Sequence, residues 1–188
     1  MFKRIIHSMK SELPNGKAKQ FFDFMAYPDD EAYSNWLPEH HQYHVVKKSK
    51  DSPVGDLIFF DQHISPKFRL KSYAIVRVAD KPRELTVQVR KFGIRVPVFV
   101  SLYFEDTENG LVLVEELRAG YRGPGAILNP FFRLVLTKRK LNDLTNHHNK
   151  EWKELENILS KKNTTYVAVS CDGSRGASAV EFGSGGRI

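Results

Sequence analysis

The chain has 188 residues, 41% of them hydrophobic and 12% aromatic, so a full hydrophobic core is within reach and wholesale disorder is excluded. Its 29 Lys+Arg against 22 Asp+Glu give a formal charge of +7, spread over short groups such as Lys138-Arg139-Lys140 with no nucleic-acid recognition motif, so no nucleic-acid partner is expected. No apolar run nears the ~18 residues of a transmembrane helix, and Met1 to Ser8 lacks an apolar stretch of signal-peptide length. The single cysteine, Cys171, excludes an internal disulfide and a cysteine-based zinc site, which predicts a reducing compartment such as the cytoplasm.

The first 44 residues carry helical signals. Phe21, Phe22 and Met25 recur at helical spacing, and Asp29 is placed to cap a short helix over residues 30–37 that turns Trp36 and Leu37 inward. From Tyr43 to Gly120 the hydrophobic period changes to two. Val98, Val100, Leu102 and Phe104 alternate with Phe99, Ser101, Tyr103 and Glu105, and similar runs cover residues 56–64, 72–79, 84–92 and 111–119. Turn residues separate these runs, Asn109-Gly110 being the strongest hairpin signal. Five or six strands joined by short turns predict a curved antiparallel meander.

After the glycine-rich turn at residues 120–125 the pattern is helical to about Lys162, with Pro130 in a first turn or at a kink. Leu141, Leu144, Trp152, Leu155 and Leu159 share one stripe. A long helix laid across a curved sheet is an α+β arrangement in which the helix closes a cavity. Residues 163–188 hold five of the 12 glycines and read as a flexible tail outside a single domain of residues 1–162.

Six of the seven histidines lie in three groups: His40, His41 and His44; His63; and His147 with His148. His147 and Glu151 are one helical turn apart, and His148 and Glu151 are three residues apart, so either pair can converge on one cation. Glu151 falls on the apolar stripe, where a carboxylate is costly unless a cation or donor offsets its desolvation. Nitrogen and oxygen ligands without cysteine favour Zn²⁺, with Mn²⁺, Fe²⁺ or Ni²⁺ also suited. Solvated histidines and a Glu151 paired with a basic residue of the sheet are the plain structural alternative.

Trp36-Leu37-Pro38-Glu39-His40-His41, followed by Val54-Gly55-Asp56-Leu57-Ile58-Phe59-Phe60-Asp61-Gln62-His63-Ile64, resembles the polyketide cyclase/START-related helix-grip superfamily. More narrowly it is similar to the branch that includes diacetylphloroglucinol hydrolase. The match runs from about Phe21 to Leu159 and ends on His147-x-x-x-Glu151-x-x-x-Leu155. The resemblance implies a sheet wrapped around the C-terminal helix with an apolar cavity between them. It also implies a metal held by His41, His147 and Glu151. The branch's fourth ligand is a strand glutamate; here Gln62 takes that position, with Asp61 or His63 as the substitute. Helical periodicity sets His148 nearer the stripe centre, an alternative to His147.

Three functions follow as expectations. A metal-dependent enzyme would hydrolyse a carbon–carbon bond beside an aromatic ketone. A carrier would hold a lipid or aromatic metabolite in the cavity without chemistry, and a weaker third class would use the +7 charge on RNA or an anionic membrane. Trp36, Phe59, Val98 or Phe99, and Leu155 are expected to line or floor the cavity, because they stand on the elements that flank it.

Overall fold

The computed structural model describes residues 3–172, those after 161 as backbone alone. In chain order the elements are β1 (Ile5–Leu13), α1 (Ala18–Ala26), α2 (Asp30–Trp36), β2 (His40–Lys47), β3 (Leu57–Ser65), β4 (Phe68–Asp80), β5 (Glu84–Lys91), β6 (Ile94–Thr107), β7 (Gly110–Ala119), a 3-10 helix (Gly123–Leu128), α3 (Asn129–Val135) and α4 (Lys138–Asp172). The strands form one antiparallel sheet in the order β1-β7-β6-β5-β4-β3-β2. The meander expected from the alternation is therefore present, with β1 added along β7.

β1 corrects the expectation of helix at the N-terminus. Its inward positions include His7 and Ser11 as well as Met9 and Leu13. Two polar residues on the inner face hide the period of two from a hydrophobicity count. The short α2 forms as its cap predicts: the Asp29 carboxylate accepts from the backbone N–H groups of Glu31 and Ala32 at 2.8 and 3.1 Å. Pro130 lies in the first turn of α3, where its missing N–H costs nothing. The expected domain end near 162 and tail at 163–188 lie outside the described residues, except that α4 continues as backbone to Asp172.

The helices cover the concave face unequally. Phe21 and Phe22 of α1 pack with Leu13, Phe104, Leu111 and Leu113, all buried, and fill one end of the sheet. α4 crosses the face with Trp152 and Leu155 buried against that core. Toward the other end a cavity of about 180 Å³ is left between α4 and the strands. No described helix is long and apolar enough to cross a bilayer.

Candidate functional site

Two elements bring three polar side chains together beside this cavity, where Glu151 lines it. His40 opens β2, while His147 and Glu151 stand one turn apart on α4. His40 Nε2 is 3.3 Å from His147 Nε2 and 3.5 Å from Glu151 Oε2, and His147 Nε2 is 3.2 Å from the same oxygen. All three residues are buried. Their local supports are specific. Trp36 Nε1 donates to the Glu151 carbonyl at 2.6 Å, the Leu37 carbonyl accepts from His40 N at 2.9 Å, and Lys150 pairs with Glu39. The Tyr33 ring stacks on His40, with centroids 4.2 Å apart and planes within 10°.

The histidine that turns inward is His40, and this corrects the expected His41. Pairing between β2 and β3 passes from His40↔Gln62 to Gln42↔Asp61, so β2 spends two steps where β3 spends one. His41 is the extra residue of a bulge, and a bulged residue is displaced from the ladder. It is exposed and rests edge-on against the His63 ring at 4.9 Å.

Neither substitute fourth ligand reaches the site. Asp61 is buried but committed to Arg69, at 2.7 and 2.6 Å, with Lys71 at 3.6 Å. The Arg69 hydrogen bonds hold its carboxyl below the usual carboxylate range against the opposing effect of burial. His63 shares that outer face by strand alternation. Gln62 faces the cavity and accepts a hydrogen bond from the Tyr33 hydroxyl. Burial, with the Glu151 charge adding to it, pushes the Tyr33 hydroxyl well above the usual phenol range, so it stays protonated and a donor.

His148 is buried like His147, and with Glu115 and Glu151 it forms a second group whose ligand atoms lie within 4.8 Å of one another, so Glu151 is shared between the two histidines. His148 Nδ1 lies 2.9 Å from Glu115 Oε2, and Trp152 Nε1 lies 2.9 Å from that Nδ1 and 3.4 Å from the same oxygen. Nε2 of the same ring meets the Ser11 hydroxyl at 3.0 Å. Glu115, which also lines the cavity, is invisible in the sequence as a site residue because β7 places it within an otherwise ordinary alternating run. Tyr33, by contrast, carries a readable signal: it lies three residues before Trp36 on a capped helix, hence on the same face.

Glu151 is the electrostatic centre. Burial raises its carboxyl, but the hydrogen bonds and charge of His147 and His40 outweigh that and bring it down to about 2. His40 Nδ1 is buried without a partner among the described residues, so the ring's polar contacts all run through Nε2 toward the other two groups.

The cavity walls are apolar. Ile58 and Phe60, Val87 and Val89, and Val98 and Val100 project into it from neighbouring strands, with Trp36 and Trp152 at the polar end. The expected Trp36 and Val98 therefore line it. Phe59 and Phe99 do not: Phe59 packs at a tilt against Tyr73, with centroids 5.1 Å apart, and lies under Lys71 on the outer face, and Phe99 lies beside Arg118. A strand residue and its neighbour take opposite faces. Leu155 is fully buried one turn beyond the cavity, in the core with Trp152.

No family model matches the chain, and no curated protein matches it in sequence. Solved structures match it in shape. A START superfamily protein from Mycobacterium smegmatis superposes with a TM-score of 0.55 at 13% identity, covering 84% of this chain and 99% of that one. A protein from Thermus thermophilus gives 0.56 at 12% identity over 81% and 95% of the two chains. One from Nitrosomonas europaea gives 0.54 at 11% over 85% and 97%. At such identities the likeness is one of fold: an α+β helix-grip architecture of the START type.

Proposed function

We propose that the chain binds a small apolar or aromatic molecule in the cavity between sheet and α4, and that a divalent metal ion held by His40, His147 and Glu151 gives that cavity its chemistry. One observation carries this reading. The three ligand atoms form a triangle with edges of 3.2, 3.3 and 3.5 Å. Tetrahedral ligands on Zn²⁺ with bonds of about 2.0–2.1 Å stand about 3.3–3.4 Å apart. Two imidazoles and one carboxylate with a free fourth position are also the donor set of hydrolytic zinc centres, whereas structural centres use all four positions. Gln62 at the expected glutamate position is compatible with such an open site.

A bound metal would polarise a carbonyl and lower the pKa of a water there, the chemistry that hydrolysis beside an aromatic ketone requires. The chain's own residues supply the rest. The apolar strands hold a ring and exclude water, and a cavity of about 180 Å³ suits a small substituted ring, given that about 150 Å³ accepts benzene. Tyr33 keeps its proton directed at Gln62, and Glu115 presents a carboxylate anchored by His148 and Trp152.

Metal analysis of the purified, untagged chain after dialysis against Zn²⁺ tests the reading. About one Zn²⁺ per chain is expected, together with a thermal midpoint that rises with added zinc. His40→Ala, His147→Ala and Glu151→Gln should each abolish stoichiometric retention, because loss of one ligand in three removes most of the affinity. A chain that retains no zinc overturns the metal half of the reading. A carrier without metal then remains, favoured by the neutral Tyr33–Gln62 pair at the cavity wall. In that case the same substitutions leave binding of an apolar fluorescent probe largely unchanged.

A further inference from the structure

The segment between β7 and α4 exposes what a folded chain normally hides. Ile127 is 70% exposed, Leu128 54%, Phe131 63% and Leu134 76%, all within the short 3-10 helix and α3. Single exposed apolar residues are ordinary, but a run of large ones marks a contact surface. A second group stands at the β5–β6 tip, where Phe92 is 91% exposed and Ile94 68%. Both groups stand within a few residues of positions that line the cavity. Val89 and Val98, on the strands that enter and leave the tip, line it together with Leu136 at the end of α3. The Gly120 N–H bonds the Pro97 carbonyl at 2.9 Å, tying the start of the segment to β6.

The exposed segment is held in place. Asn129 is buried and clamps Tyr121, accepting from its N–H at 2.7 Å and donating to its carbonyl at 3.1 Å. Gly120 makes room for this clamp: its φ is +119°, and a Cβ there would lie 2.6 Å from Asn129 Oδ1. The apolar side chains therefore point outward from a built support.

Charge identifies the occupant. Residues 119–142 contain Arg122, Arg133, Lys138, Arg139 and Lys140 and no acid, and residues 85–104 contain Arg90, Lys91 and Arg95 and no acid. Cations around projecting aliphatic and aromatic side chains match an interface of lipid phosphates over hydrocarbon. A nucleic acid would use the cations and ring faces but gains nothing from Ile127, Leu128 or Leu134. A second copy placed on the same face would oppose like charges.

We propose that this rim docks on the surface of an anionic lipid bilayer, so that the cavity mouth faces the hydrocarbon and an apolar ligand enters without crossing water. The inference goes beyond the metal site and does not depend on it.

Flotation of the full chain with vesicles tests it, comparing pure phosphatidylcholine with phosphatidylcholine containing roughly 30 mol % phosphatidylglycerol at about 0.1 M salt. Binding at least tenfold stronger to the anionic vesicles is expected. The double variant Phe131→Asp/Leu134→Asp should lower that binding tenfold or more with an unchanged melting curve, since both side chains are solvent-exposed. Arg133→Gln/Arg139→Gln should lower it several-fold. Failure to bind either vesicle overturns the proposal, as does anionic binding that Phe131→Asp/Leu134→Asp leaves unchanged, which would be charge attraction alone. Retention on RNA without vesicle binding would assign the surface to nucleic acid instead. A dimer that Phe131→Asp/Leu134→Asp disperses, again without vesicle binding, would assign it to a second copy.

Discussion

The two ends of the cavity are built on opposite terms. At the polar end, His40, His147, Glu151, Trp36 and Trp152 are all buried, and they are joined by contacts between residues more than a hundred positions apart. At the mouth, Asn129 clamps Tyr121 only eight positions away, and Gly120 ties the start of the segment to Pro97 of β6. A side chain fixed by distant elements cannot shift without moving the sheet or α4. A segment fixed by a local clamp can open while the sheet stays intact, because local unfolding follows the density of buried contacts. The polar end is thus suited to fixed geometry and the mouth to exchange with the surroundings.

The largest expected effect lies at the polar end. Trp152 is buried, stands 5.3 Å from Trp36 and 6.2 Å from Phe21 between ring centroids, and sets its Nε1 against His148 and Glu115. Trp152→Ala should cost about 3–5 kcal/mol in chemical denaturation. Leu134→Ala at the mouth should stay within about 0.5 kcal/mol, as for other exposed positions. Equal costs at the two sites would remove the distinction between the ends.

Asn129→Ala sharpens the comparison from the other side. It leaves the N–H and C=O of Tyr121 without their side-chain partner, which costs about 1–3 kcal/mol for groups that remain buried. Because the clamp is local, amide exchange should accelerate across residues 121–135 and stay unchanged in β3 and β4. Acceleration spread over the whole sheet would show that the mouth segment supports the entire fold.

Much of this architecture was legible, and the misses share a cause. Alternating runs and turn residues located β3 to β7, and Asp29 located α2, because these signals are local. The face of each strand was harder to assign. A single bulge between His40 and Gln42 exchanged His40 for His41, and strand parity set Phe60 and Gln62 inside while Phe59 and Asp61 went outside. A run such as Leu57-Ile58-Phe59-Phe60 is apolar on both faces, so composition gives no parity. On α4 the spacing was sufficient to find His147, His148 and Glu151, since a helix turns both histidines inward by neighbouring angles. Their partners depended on β1, β2 and β7, which only the three-dimensional pairing brings near.

A smaller effect is expected at the cap of α2, which carries Tyr33 and Trp36 to the polar end. Asp29 accepts two backbone hydrogen bonds there, so Asp29→Ala should lower stability by about 1 kcal/mol. Zinc retention should weaken modestly rather than vanish, since Tyr33 and Trp36 support the proposed ligands His40 and Glu151 and are not themselves among them. Unchanged stability would mean that packing of Tyr33 and Trp36 alone holds the helix.

The smallest effect is also the most discriminating for the site. His40 and His41 are adjacent in sequence and identical in chemistry, yet the bulge sends one inside and the other to solvent. His41 makes an edge contact with His63 on the outer face. Removing an exposed ring from such a contact should change stability by no more than about 0.5 kcal/mol. His41→Ala should also leave zinc retention at the wild-type level, whereas His40→Ala should abolish it. The register that buries His40 pairs it with Gln62, so exchanging the two roles would require β2 to slip against β3 and turn Tyr43 out of the core. Loss of zinc in His41→Ala together with retention in His40→Ala would establish that slipped register and refute the pairing described for β2 and β3.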